Sequence, residues 1–180
     1  MAEGPLIQRV PTDRVGHALF VAARALALAG GLVMLALTLM SLASIAGRAL
    51  FAMPVPGDYE LIQLGCAVAV ASFLPLTQLR GGHVIVDFFT AKSGPRLRGA
   101  LDAVGALLVA LAGALIAWRM TLGAIGLREA NDQTTILGVP TWYAVALMVP
   151  SFAMLALAGF YTAWWHARAA RAAGGEGSDA

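Results

Sequence analysis

Four long apolar runs separated by short polar segments constrain this sequence more than any other feature. Ala25 to Gly47 has no charged residue over 23 residues, and a helix of that length is about 35 Å long, enough to cross the hydrocarbon core of a bilayer. Leu61 to Leu79 is a second uncharged run. With 59% hydrophobic and 12% charged residues, the chain has too little polar surface for a water-soluble globule of 180 residues. The sequence therefore predicts an integral membrane protein.

The predicted fold is all-α with four transmembrane helices, at about residues 25–47, 61–79, 99–120 and 140–166. Asp58 suits the N-cap of the second helix. Pro140 suits the first turn of the fourth helix, where its missing N–H has no intrahelical acceptor, and Trp142 suits an aromatic belt at the membrane interface. Residues 84–90 are apolar but too few to span, which predicts a short interfacial or re-entrant helix between helices two and three.

The distribution of Lys and Arg predicts the orientation. If the N-terminus is cytoplasmic, nine of these residues lie in inner segments and three in outer segments, the three being Arg48, Arg119 and Arg128. The positive-inside rule then places both termini in the cytoplasm. Residues 1–24 are expected to form a cytoplasmic arm, either a short helix on the membrane surface or a disordered segment, and residues 168–180 a disordered tail.

The predicted spans lack the groups that membrane chemistry requires. Their midsections carry hydroxyls but no ionisable side chain, whereas a path for a charged solute needs such groups at membrane depth. The three histidines lie at helix ends or in loops, and Cys66 is the only cysteine, so neither a haem site nor a metal cluster is expected. We predict no catalytic residue, no cofactor and no metal site. The basic residues form no stripe with interleaved aromatics, so no nucleic-acid partner is expected.

Small residues recur at four-residue spacing in the predicted helices, a pattern that lets two helix backbones approach closely in lipid. The rows are Ala27 and Gly31; Ala43 and Gly47; Gly65 and Ala69; and Ala106, Ala110 and Ala114. The hydroxyls within the spans are expected to bond back to their own helix or to a neighbour; they belong to Thr38, Ser41, Ser44, Ser72 and Ser151. The chain thus has the features of a packing partner rather than a pore.

A polar turn broken by glycines follows the second apolar run. Arg80 begins it, and Gly81 and Gly82 suit a helix end with positive φ. His83 and Asp87 are four residues apart, so on a short helix they share one face and can pair with each other or with another subunit. We predict that these five residues form a structural turn or a subunit interface on the cytoplasmic side.

These features together resemble the small membrane subunit, of DctQ type, of tripartite ATP-independent periplasmic (TRAP) transporters. The matching elements, in chain order, are Arg48 after helix one, Glu60-Leu61 at the start of helix two, the Arg-Gly-Gly-His-Val-x-Val-Asp-Phe-Phe turn of residues 80–89, the Pro-Arg-Leu-Arg step of residues 95–98, and the segment from Thr134 or Thr135 through Leu137 and Pro140 to Trp142. The resemblance extends from about Val21 to Trp165.

The resemblance implies a non-enzymatic scaffold subunit in the bacterial inner membrane. Its expected partners are membrane lipids, a large multi-span permease that carries the substrate and sodium sites, and a periplasmic binding protein that delivers an organic acid. Arg48, Glu60 and Arg128 are candidate contacts for that binding protein on the periplasmic face, or else ordinary interface anchors. The alternatives are a free-standing assembly or chaperone factor and, less in keeping with the apolar spans, a membrane enzyme or electron carrier.

Overall fold

A computed structural model describes the backbone of residues 13–81 and 95–175 and the side chains of residues 13–81 and 99–168. Four α-helices make up most of these residues. They are α1 (Arg14–Phe51), α2 (Asp58–Leu79), α3 (Pro95–Glu129) and α4 (Trp142–Gly175). All four are long and apolar enough to cross a membrane, which confirms the predicted all-α fold with four candidate spans.

Three of the helices extend well beyond their predicted bounds. Residues 14–24, predicted as a separate surface helix or a disordered arm, are the first part of α1. α3 begins at Pro95 and continues to Glu129, nine residues beyond the predicted end of the third span at residue 120. α4 remains helical to Gly175, within the segment predicted to be disordered. The residues beyond the predicted bounds are rich in alanine, leucine and arginine, which favour helix. The charged residues among them therefore do not end the helices.

The helix starts also correct two local predictions. Gly57, with φ of 72°, is the N-cap of α2, and Asp58 is its first helical residue. Pro140 lies two residues before α4 begins at Trp142, and its carbonyl accepts the Tyr143 N–H at 3.3 Å. The predicted interfacial or re-entrant helix at residues 84–90 lies outside the described residues.

The helices are arranged so that α2 lies between α1 and α4, and α4 lies between α2 and α3. Small residues set the closest approaches. A Cβ on Gly30 of α1 would lie 2.8 Å from the Ser72 Cβ of α2, and one on Gly159 of α4 would lie 2.9 Å from the Ala110 Cα of α3. At these two points the helices approach so closely that only glycine, which has no side chain, fits.

The prediction that the small-residue rows lie at helix contacts is confirmed in part. Ala27, Gly65, Ala69, Ala106 and Ala110 lie at helix contacts, being either buried or, for Gly65, against Leu37. Gly31 has no neighbouring atom within 4 Å of an added Cβ, and the side chains of Ala43 and Ala114 are exposed. Gly30 and Gly113 occupy the contacts instead. Each four-residue step turns about 40° past a full helical turn, so a three-residue step must alternate with it to stay on one face.

The hydroxyl prediction holds for four of the five side chains. Thr38, Ser41 and Ser72 each donate to the carbonyl four residues earlier, at 2.8, 2.9 and 2.8 Å. Ser44 bonds to the neighbouring helix, since its hydroxyl donates to Asp58 of α2. Ser151 is only 1% exposed, and its hydroxyl has no partner among the described residues.

A buried polar contact that the sequence analysis did not identify joins α2 to α4. The amide of Gln78, which is 4% exposed, donates to Thr162 Oγ1 at 3.0 Å. The Thr162 hydroxyl donates in turn to the carbonyls of Ala158 and Gly159, each at 3.0 Å. Since α2 and α4 run parallel, this contact fixes their relative register.

Replacing Thr162 with valine keeps the side-chain shape and removes the hydroxyl that accepts the hydrogen bond from the Gln78 amide. We expect the Thr162→Val substitution to lower the free energy of unfolding in detergent by about 0.6–1.7 kcal/mol, the range for interhelical hydrogen bonds in membranes. Thr77→Val is the matched control, because the exposed Thr77 hydroxyl donates only to its own helix, at Phe73 O. Equal effects of the two substitutions would show that the α2–α4 contact adds no stability.

Candidate functional site

The up-and-down order of the helices brings two connections to the same end of the bundle. Residues 52–57 join α1 to α2, and residues 130–141 join α3 to α4. We call this end the paired-loop end. Residues that the sequence analysis singled out lie here, among them Arg48, Glu60, Arg128, Pro140 and Trp142.

Ser44 and Asp58 close the first connection. The Ser44 side chain is buried, and its hydroxyl donates to Asp58 Oδ2 at 2.5 Å while accepting the Val55 N–H at 3.3 Å. Asp58 Oδ1 accepts the N–H of Tyr59 at 2.8 Å. The Arg48 guanidinium lies 3.9 Å from Asp58 Oδ2, but its side chain is 67% exposed. Ser44 therefore organises the turn, and most of the Arg48 side chain remains open to other partners.

Glu60 joins the two connections to each other. Its Oε1 accepts the Ile136 N–H at 2.8 Å, and its Oε2 accepts the Leu137 N–H at 3.0 Å. Because a carboxylate is a strong acceptor for two adjacent amides, this arrangement holds residues 134–137 over the start of α2. We call the group formed by Glu60, Ile136 and Leu137 the Glu60 bridge.

Leu137 adds an apolar contact next to the Glu60 bridge. A Cβ on Gly57 would lie 2.3 Å from Leu137 Cγ, so the leucine side chain occupies the space that any other residue at position 57 would need. Gly57 also has φ of 72°, which glycine adopts at no steric cost. Backbone conformation and packing thus both require glycine at this position.

The α3–α4 connection has its own internal hydrogen bonds. Thr134 N–H donates to Val139 O at 2.9 Å, and Gly138 N–H donates to Thr134 O at 3.1 Å. At the base of the connection, the Thr141 hydroxyl donates to Asp132 Oδ2 at 2.5 Å. This segment is a folded loop presented to Glu60, so the resemblance motif from Thr134 to Trp142 corresponds to a defined structure.

Arg128 and Trp142 meet where α3 ends and α4 begins. The Arg128 Cζ lies 5.4 Å from the centre of the Trp142 ring, within the range of a cation–π contact, and Tyr143 stacks on Trp142 at 4.0 Å between ring centres. A groove of about 290 Å³ runs below them between α3 and α4, and its walls are mostly apolar. The exposed Arg128 guanidinium keeps its N–H donors available for another partner.

The predicted polar turn is described only at its beginning. Arg80 is the C-cap of α2, and its N–H donates to Leu76 O at 3.1 Å. Gly81 has φ of 67°, which confirms the predicted positive φ at this helix end. Gly82, His83 and Asp87 lie outside the described residues. Arg80 and Gly81 are at the opposite end of α2 from the Glu60 bridge.

The described residues of the paired-loop end connect two loops and do not form a cluster of reactive side chains. Within the described parts of the chain, no three His, Cys, Asp or Glu side chains are placed to hold a metal ion. The acids Asp58 and Glu60 accept hydrogen bonds from the chain itself, and the cations Arg48 and Arg128 remain exposed. The arrangement can therefore hold two loops rigidly and present two positive charges.

The family relationship of the chain is specific. Residues 37–169 match the family described as the DctQ component of tripartite ATP-independent periplasmic transporters. The match covers the C-terminal part of α1, all of α2 and α3, most of α4 and both connections of the paired-loop end. No curated protein and no solved structure shows significant similarity to the chain.

Proposed function

The chain belongs to the DctQ component family of TRAP transporters, and from this membership we propose that it is the scaffold subunit beside a large permease. The permease would carry substrate and coupling ion, and this subunit would widen the static part against which the permease moves. The observation that carries the proposal is the family match over residues 37–169, which includes part of the first candidate span and the other three. The transported solute is proposed to be an organic acid, taken up with sodium.

The proposed orientation places the paired-loop end in the periplasm and both termini in the cytoplasm of a bacterial inner membrane. The Lys and Arg distribution supports it. Arg48 and Arg128 lie at the paired-loop end, against nine Lys and Arg residues in the segments proposed to be cytoplasmic.

Each end of the bundle has a proposed role. Arg48 and Arg128 would face the periplasmic binding protein, which delivers an anionic solute, and a salt-sensitive contact between opposite charges suits a transient encounter. Glu60 is a weaker candidate for that contact, since both of its carboxylate oxygens accept hydrogen bonds from the chain. The cytoplasmic turn with Arg80, Gly81, Gly82, His83 and Asp87 is proposed to contact the permease.

An affinity pull-down from native membranes tests the proposed function. The tagged chain is solubilised in a mild detergent, and the proteins that co-purify with it are identified by mass. We expect a large multi-span permease in a stoichiometric ratio. Recovery of the chain alone or as a homo-oligomer would reject the scaffold function and favour the free-standing assembly factor.

A further inference from the structure

Arg119 is a charged residue in the middle of a candidate membrane span. Between Asp102 and Arg128, the segment of α3 at residues 103–127 contains no other charged residue. Arg119 lies nine residues before Arg128, which is about 13 Å along the helix axis, close to the midplane of a hydrocarbon core about 30 Å thick. The stacked pair of Trp142 and Tyr143 beside Arg128 marks the interface from which this depth is counted.

The side chain of Arg119 has no partner within the described part of the chain. It is exposed, and no hydrogen bond or ion pair to it occurs among those residues. α3 contacts α4 through Ala110 and Gly113, which lie on the opposite side of the helix from Arg119. An arginine at membrane depth normally faces protein or water and pairs with an acid or with backbone carbonyls. The described part of the chain therefore supplies no partner for Arg119 at membrane depth.

The residues around Arg119 form a regular helix-packing pattern. Leucines recur every seven residues on this side of α3 and are 40–62% exposed; they are Leu101, Leu108, Leu115 and Leu122. Four residues after each leucine come, in order, Gly105, Ala112, Arg119 and Gly126. Steps of four and three residues alternate along this face, as in the seam of a left-handed helix pair. An added Cβ on Gly105 or Gly126 would meet no atom within 4 Å, so a second helix has room to approach there.

We propose that this face of α3, defined by the four leucines and Arg119, is the docking surface for a membrane helix of the large permease subunit. The partner helix would present a carboxylate or free backbone carbonyl oxygens at the depth of Arg119. A single unpaired positive charge in an otherwise apolar seam demands such a complement, and the small residues let the two helices come close. The proposal rests on the proposed function, because it needs the permease as the occupant.

Photo-crosslinking in the intact complex tests the location of this surface. A photoreactive amino acid is placed at Leu115, which is 55% exposed on α3, or at Leu35, which is 56% exposed on α1 and serves as the matched control. We expect the crosslink to the permease from position 115 to be at least fivefold stronger than that from position 35. Equal or stronger crosslinking from position 35, in a complex that still contains the permease, would overturn the proposal.

Substitution of Arg119 tests the charge pairing. We expect Arg119→Leu to leave the amount of the isolated chain in the membrane unchanged or higher, since it removes a charge at depth, and to lower co-purification of the permease by about tenfold or more. Arg24→Leu, at an exposed position of α1, is the control and should leave co-purification unchanged. Unchanged permease recovery with Arg119→Leu would overturn the proposal and indicate that the guanidinium reaches a lipid phosphate instead. Absence of the permease from the wild-type preparation would reject the proposed function itself, which is a separate result.

Discussion

Gly159→Leu is expected to lower the free energy of unfolding in detergent by about 3 kcal/mol, because added side-chain atoms at this position overpack the α3–α4 contact. An added Cβ would lie 2.9 Å from the Cα, Cβ and N atoms of Ala110. Two of these atoms belong to the backbone of α3, so the contact has no flexible side chain that can move aside. The two helices would have to separate along the most extensive contact in the bundle. Thermal unfolding in detergent, followed by circular dichroism, measures the effect.

Gly31→Leu is the matched control for this experiment. Gly31 is also within a candidate span, but an added Cβ there would meet no atom within 4 Å. Because glycine is a poor helix former, this substitution should leave stability unchanged or raise it by up to about 1 kcal/mol. A similar loss in both variants would mean that the α3–α4 contact is not what limits the size of residue 159.

Glu60→Ala is expected to release the α3–α4 connection from the start of α2. The amides of Ile136 and Leu137 would lose their acceptors, and their hydrogen exchange should become fast. The amides of Thr134 and Gly138 donate to carbonyls inside the same connection, so their protection should persist. Hydrogen exchange followed by mass spectrometry or NMR in detergent separates the two pairs of amides.

Two further variants sharpen the test of the Glu60 bridge. Glu60→Gln keeps one carbonyl oxygen and should protect the two amides less than glutamate and more than alanine does. Glu129→Ala removes an exposed acid at the end of α3 and should change neither pair. If the amides of Ile136 and Leu137 exchange at the wild-type rate in Glu60→Ala, the connection is held by the packing of Leu137 on Gly57 and not by the carboxylate.

The predictions for Gly159 and Glu60 both concern the rigidity of the bundle. Rigidity is the property that the proposed scaffold function needs. The close helix contacts at Gly30 and Gly159 join the helices along their length. The Glu60 bridge then joins the two connections at one end, and Gln78 with Thr162 fixes the register of the parallel helices α2 and α4. In the proposed function, a bundle held at these points would offer a fixed surface to the moving permease.

Several residues show how far local sequence reasoning extends. Glu60 was recognisable as an acid at the start of a helix, but its partners are backbone amides 76 and 77 residues further along the chain. Backbone amides carry no sequence signature, so the pairing could not be predicted. Ser44 similarly resembled the other span hydroxyls until the turn after α1 brought Val55 and Asp58 to it. α3 runs nine residues beyond the predicted end of its span at Met120, because the polar residues that follow are compatible with a continuing helix.

The sequence by itself determined that this chain has four apolar helices and that Gly81 ends the second of them with positive φ. It also determined the family resemblance. The helices, the positive φ of Gly81 and the resemblance all depend on composition, spacing and order along the chain. The tertiary structure alone decided which small residues lie in helix contacts, which acids are already paired and which cation is left on an outer face. Those properties depend on the rotation and register of one helix against another, and these are set by contacts between residues far apart in the chain.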